Sequence, residues 1–186
     1  MKKKIFIGLG ALAIAFVAWS VYGLFFATPK SPKTSTTFSH EASGLNLQVN
    51  YSQPSKKGRV IFGEEKDDAL QPYGKYWRLG ANAATELTFN KNINFAGQPI
   101  NAGTYRMYAI PGASSFQVIL NSEVGVNFGA ANDADHSLDV LKVELQAQYQ
   151  SSETEIFTIN FASDSVGVNM DFVWDKVLVR VPITVQ

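Results

Sequence analysis

LNLQVNY, residues 45–51, sets Leu45, Leu47, Val49 and Tyr51 on one side of an extended chain. Side chains alternate across a strand, so this spacing reads as a β-strand with one buried face. The same period of two returns down the chain. TELTF (85–89) carries Leu87 and Phe89, SFQVIL (115–120) carries Phe116, Val118 and Leu120, and LKVEL (141–145) carries Leu141, Val143 and Leu145. EIFTINF (155–161) and VGVNMDFVW (166–174) continue it, and VLVRVPITV (177–185) is β-branched almost throughout. No stretch after residue 34 has a helical period of comparable strength. AGQPINAG (96–103) and IPGASS (110–115) supply turn residues between these runs. Pro182 has no N–H to give a ladder, which places the last strand at an edge or at a change of partner. The expected fold is all-β: one antiparallel β-sandwich, immunoglobulin-like or jelly-roll-like, over residues 44–186.

The N-terminus has a different character. Lys2, Lys3 and Lys4 precede an uncharged, mostly apolar run from Ile5 to Ala27. As a helix that run extends about 35 Å, enough to cross a bilayer. Ile5, Leu12, Phe16, Trp19, Tyr22, Phe25 and Phe26 are its expected membrane-facing positions, with the aromatics gathered at the far end. Residues 1–28 therefore read as a transmembrane anchor with a cytoplasmic N-terminus, the lipid bilayer contacting residues 5–27. The alternative is a signal peptide cleaved near Ser20, after the small-x-small pattern Ala18-Trp19-Ser20. Residues 29–43, rich in Pro, Ser, Thr and Lys, read as a short tether.

Composition excludes several chemistries. The chain has no cysteine, hence no disulfide, thiol nucleophile, thiolate metal site or lipid-modified cysteine. Net charge is zero, but five of the sixteen basic residues flank the apolar run, leaving the remainder with eleven bases against sixteen acids. An acidic domain is a poor nucleic-acid binder, so no nucleic-acid partner is expected. The two histidines, His40 and His136, form no metal-binding pair. Asp133 and Asp135 offer oxygens for calcium, but the stretch lacks the glycine and distal glutamate of a calcium loop. No nucleophile elbow and no phosphate-binding glycine loop occurs, and no cofactor is expected.

Five segments together, YSQPSKKGRVIFG (51–63), PYGKYWRLGANAATELTF (72–89), AGTYRMYAIPG (102–112), VILN (118–121) and LDVLKVEL (138–145), resemble a bacterial family, the domain-of-unknown-function family 2911. The resemblance covers about residues 45–175 and implies an exported protein of Gram-negative bacteria, without an established activity. EEKDDALQ (64–71) is longer than the link found there in the family.

The densest polar cluster is Tyr51, Arg59, Tyr73, Trp77, Arg78, Asn82 and Glu86. Arg78 presents a rigid donor fork that suits a carboxylate, a phosphate or backbone carbonyls at a loop crossing. Asn82 can fix a turn through its own backbone, and Glu86 can pair with Arg78 or Arg59. The favoured reading is a clamp that holds loops onto the sandwich, with Trp77 plugging its end. The sharper reading is a pocket for an anionic or sugar-like ligand. Catalysis is disfavoured, because a lone carboxylate beside arginines has a lowered pKa and makes a poor acid. The expected function is a non-catalytic interaction or accessory module, held at the inner membrane with its C-terminal domain in the periplasm and a membrane or envelope protein as partner. Small-ligand binding is the alternative, and an uncharacterised hydrolase stands behind it.

Overall fold

The computed structural model describes residues 14–20, 31–126, 133–163 and 167–186. The chain divides into two compact units, Met1–Lys30 and Ser31–Gln186. In the first, residues 14–20 are helical and leave Ile14, Phe16, Val17 and Trp19 exposed, with the Phe16 and Trp19 rings 6.2 Å apart. The other anchor positions, Ile5, Leu12, Tyr22, Phe25 and Phe26, lie outside the described residues. No described helix is long and apolar enough to cross a membrane.

The second unit is mostly antiparallel β-structure, with one small parallel pair and short 3-10 helical turns at Glu65–Asp67 and His136–Leu138. Its strands are β1 (Lys33–His40), β2 (Leu45–Ser52), β3 (Phe62–Gly63), β4 (Gln71–Pro72), β5 (Thr85–Phe89), β6 (Ile93–Phe95), β7 (Gln98–Ile100), β8 (Gly103–Ile110), β9 (Ser115–Asn121), β10 (Asp139–Ser163) and β11 (Val168–Val185). β3 and β4 make the parallel pair; the other nine strands form one hydrogen-bonded series, β1-β2-β5-β8-β9-β10-β11-β6-β7.

Period-two burial explains the core. Leu45, Leu47, Val49 and Tyr51 of β2 face inward, and so do Leu87 and Phe89 of β5. Full burial of such side chains stabilises by about 1.5–3 kcal/mol each. The series folds into two layers because β10 serves both. Its first part, up to Gln146, pairs with β9, and from Ala147 on it pairs with β11, with register shifts between Tyr149 and Thr154 and between Thr154 and Thr158. The layers meet where the Tyr51 ring lies 5.7 Å from Phe157 and the Tyr51 hydroxyl accepts the Ile159 N–H at 3.0 Å. At the bend, Lys56 bonds Asp175 at 2.7 Å and Glu153 at 2.9 Å, and its N–H donates to the Glu155 carbonyl.

One reading of the sequence changes here, and one open alternative is decided. Residues 33–40, expected within a tether, form edge strand β1, paired with β2 from Lys33↔Ser52 to His40↔Leu45. The reason is alternation: Thr34, Thr36, Phe38 and His40 are half-buried while Ser35, Thr37 and Ser39 are exposed, and the Phe38 ring sits 5.9 Å from Phe161. Pro182 marks a change of partner rather than an edge. β11 pairs with β10 up to Val179 and with β6 from Ile183, and the Pro182 carbonyl accepts the Ala96 N–H.

Candidate functional site

Antiparallel register sets one polar residue from each of six strands in a single row. Ser35 of β1 faces Asn50 of β2, Asn50 faces Glu86 of β5, Glu86 faces Arg106 of β8, Arg106 faces Asn121 of β9, and Asn121 faces Asp139 of β10. Directly paired residues share a sheet face, and this is the face turned away from the core. The row has two halves of opposite character.

The half formed by Arg106, Asn121 and Asp139 is covered. Arg106 is 1% exposed. Its Nη1 donates to Glu123 at 2.5 Å and its Nη2 to the Tyr76 hydroxyl at 2.6 Å, while Nε has no hydrogen-bond partner among the described residues. Its guanidinium carbon lies 5.6 Å from the Tyr76 ring centroid, a cation–π contact. Tyr108, fully buried, donates its hydroxyl to the Asp139 carboxylate at 2.8 Å and lies 2.8 Å from His136 Nδ1. Burial first, then Asp139, raise the Tyr108 hydroxyl well above its ordinary pKa, so it stays protonated. Asn121 Nδ2 donates to Asp139 and to the Asp135 carbonyl, and Asn121 Oδ1 accepts the Glu123 N–H. Tyr76 and Ala134 pack over Tyr108 from outside. His136 lies between Asp133 at 3.2 Å and Asp139 at 3.3 Å, and these raise its pKa, Asp133 the more strongly.

The half formed by Ser35, Asn50 and Glu86 is open. These residues, with Lys33, Ser52 and the Gly125–Val126 backbone, line a recess of about 460 Å³. Glu86 Oε1 accepts the Gly125 N–H at 2.6 Å, and the Ala84 N–H donates to the Val126 carbonyl at 3.0 Å, so the segment after β9 forms one wall. Gly80 holds up another side. At φ +152° it lies against Ser52, and a Cβ there would meet the Ser52 carbonyl oxygen at 2.8 Å.

The polar cluster expected from the sequence is dispersed by the fold. Arg78 donates Nη1 to the Asn82 carbonyl at 2.5 Å, and Asn82, at φ +61°, donates Nδ2 to the Ser31 carbonyl at 3.0 Å. Arg59 donates to the carbonyls of Lys56 and Ser55. Both arginines thus face backbone oxygens, and Glu86 pairs with neither; its cross-strand neighbour is Arg106. Trp77 lies in the centre of the core, its ring 5.0 Å from Phe157 and 5.9 Å from Trp174, and its Nε1 has no hydrogen-bond partner among the described residues. Tyr51 sits beside it in the core and touches the recess at one margin. Tyr73, its hydroxyl pKa raised by burial and then by Tyr149, belongs to another surface. Of the named cluster, only Tyr51 and Glu86 reach the recess.

Asp135 accepts from the Ser137 N–H and hydroxyl, which lower its pKa, and Asp133 bonds His136. Among the described residues no group of three or more carboxylates or imidazoles is placed to hold a metal ion. Sequence reasoning passed over Ser35, Asn50, Arg106, Asn121 and Asp139. The available signal was phase: each occupies an outward position of an alternating strand.

Chemically, the open half offers hydroxyl, amide, ammonium and carboxylate groups to a polar guest. The fold and recess define an all-β domain carrying a polar cleft on an outer sheet face. The chain belongs to the family described as "Protein of unknown function (DUF2911)", whose model matches residues 31–183 and so takes in β1 as well. No curated protein and no solved structure matches it.

Proposed function

We propose that this domain is a non-catalytic binding module that takes a small, hydroxyl-rich ligand in the recess between β1, β2 and β5. One observation carries the reading: Ser35, Asn50 and Glu86 converge from three strands on a recess of about 460 Å³. That volume falls within the range of about 300–1,000 Å³ usual for ligand sites. As a scaffold, the domain works in the manner of immunoglobulin-like and jelly-roll sandwiches, presenting polar groups on a packed sheet. The recess has one carboxylate, already engaged by the Gly125 N–H, and no histidine among its lining residues, which favours binding over turnover. The test is calorimetric titration with neutral sugars, polyols and small anions, repeated on Asn50→Leu. Binding of a neutral polyol that the variant abolishes, with no product released, supports the reading; equal binding by the variant, or turnover, overturns it.

A second reading concerns where the module works. The helical residues 14–20 expose Ile14, Phe16, Val17 and Trp19, a surface suited to lipid or to another apolar helix. In this reading Lys2–Lys4 stay cytoplasmic, and the β-domain serves as an accessory module on the periplasmic side of the inner membrane, beside a membrane or envelope partner. Carbonate extraction of membranes checks it: retention of a full-length chain is expected, and release of a chain shortened near Ser20 overturns it.

A further inference from the structure

The recess beside Glu86 has a companion on the same face. A second recess, about 310 Å³, is lined by the polar residues Thr37, Ser39, Asn46, Gln48, Thr88 and Asn90, with Phe38, Leu47 and Phe89 contributing apolar surface. It lies two to four residues farther along β1 than Ser35, a shift of roughly 7–13 Å at strand spacing. Register makes the intervening surface continuous. Thr37 faces Gln48, Gln48 faces Thr88 and Thr88 faces Thr104, whose hydroxyl lies 2.9 Å from that of Thr88. Gln48 Nε2 donates to Ser35 at 3.1 Å and so joins the two recesses. Asn90 Oδ1 accepts the Asn46 N–H and fixes the far end.

The composition of this surface selects its occupant. Ser35, Thr37, Ser39, Asn46, Gln48, Asn50 and Thr88 are hydroxyls and amides, each able both to donate and to accept. Lys33 and Glu86, one of each sign, are the charged side chains in these rows on β1, β2 and β5, and both lie at the first recess. A polyanion finds a single cation here, Lys33. The apolar residues beside the second recess, Phe38, Leu47 and Phe89, occupy the strand positions that alternate toward the core, Leu47 and Phe89 fully buried, so they give a peptide side chain little to anchor on. A sugar chain, whose hydroxyls donate and accept along their whole length, matches such an array. We propose that the outer face of β1, β2 and β5 binds a linear, uncharged oligosaccharide lying along the strands, with the two recesses as successive subsites. This rests on the reading of the Glu86 recess as a ligand site and extends it to a polymer.

The experiment is calorimetric titration of the full-length chain, in detergent, with gluco-, manno- and N-acetylglucosamine oligomers of one to six units and dextran sulfate as the charged control. One neutral series is expected to gain roughly tenfold or more in affinity with length as the second recess fills. Asn46→Leu, an exposed change at a residue that lines the second recess alone and checked by its melting temperature, should remove the gain with length. Binding of short sugars with no gain in any series overturns the two-subsite proposal and leaves the single recess standing. No neutral sugar bound, or dextran sulfate alone bound, overturns both.

Discussion

The polar row across β1, β2, β5, β8, β9 and β10 is one geometric feature with two fates. In the half built from Arg106, Asn121 and Asp139, charged groups are interlocked and covered; in the half built from Ser35, Asn50 and Glu86, mostly uncharged groups face solvent around a recess. A buried charge is tolerated only with its partners in place, so the covered half is committed to structure. Hydroxyls and amides that face water can exchange that water for a ligand at small cost, so the open half is available for binding.

The largest test of this contrast is Arg106→Met. It leaves the Tyr76 hydroxyl without its donor and Glu123, 39% exposed, without its cation. Because the carboxylate left behind is part-exposed and screened by solvent, the cost, with the lost Tyr76 hydrogen bond included, is about 2–3 kcal/mol, read as a lower urea midpoint. Glu123→Gln added to that variant should recover part of the loss. A neutral Arg106→Met would mean that apolar packing of Tyr76 and Ala134, rather than charge, holds the cover.

Next comes Gly80→Ala, which attacks the frame of the open half. The new Cβ meets the Ser52 carbonyl at 2.8 Å in a backbone region that L-residues rarely adopt, at φ +152°. The expected loss is about 2 kcal/mol, with ligand affinity falling in parallel because Ser52 lines the recess. Stability lost without any change in affinity would separate the recess from its frame.

These positions also show what was legible in the sequence. The inner face of each strand was, because burying Leu45, Leu47, Val49 and Leu87 leaves a period of two that tolerates few exceptions. The outer face was not. Whether Arg106 or Gln48 is covered depends on which strands become neighbours, and the order β1-β2-β5-β8-β9-β10 is set by contacts distant in sequence. Arg78 drew attention because it stands in a dense local cluster; its partner proved to be the carbonyl of Asn82, four residues on. β1 was hidden because Ser and Thr suit both a tether and an exposed edge strand.

A smaller effect is expected from pH, and only on the covered half. His136 faces Asp133, Asp139 and the protonated Tyr108, and its pKa is raised, by Asp133 first and Asp139 second. A raised folded-state value contributes stability that is fully present below the unfolded value of about 6.5 and is lost as pH climbs through the folded value. Residues 133–138 should therefore loosen on the alkaline side. Amide exchange at Ser137 and Leu138, whose N–H groups are tied to Asp135, should speed up beyond the intrinsic base-catalysed increase between pH 6 and 8.5. The open half, without a histidine in its lining, should show no such excess.

The smallest expected change in stability is that of Glu86→Gln, and it divides the two halves most finely. Glu86 stands between them: it lines the recess, accepts the Gly125 N–H, and faces Arg106 across β5 and β8. Gln keeps an oxygen to accept that N–H and keeps the side-chain length, so only the charge is removed. Because Arg106 is already neutralised by Glu123 and the Glu86 side chain is only half-buried, the loss should stay below about 0.5 kcal/mol by denaturant titration. A loss above about 1.5 kcal/mol would show that the guanidinium draws on both carboxylates. The boundary between the covered and open halves would then lie at Asn50, and Glu86 would belong to the scaffold instead of the ligand site.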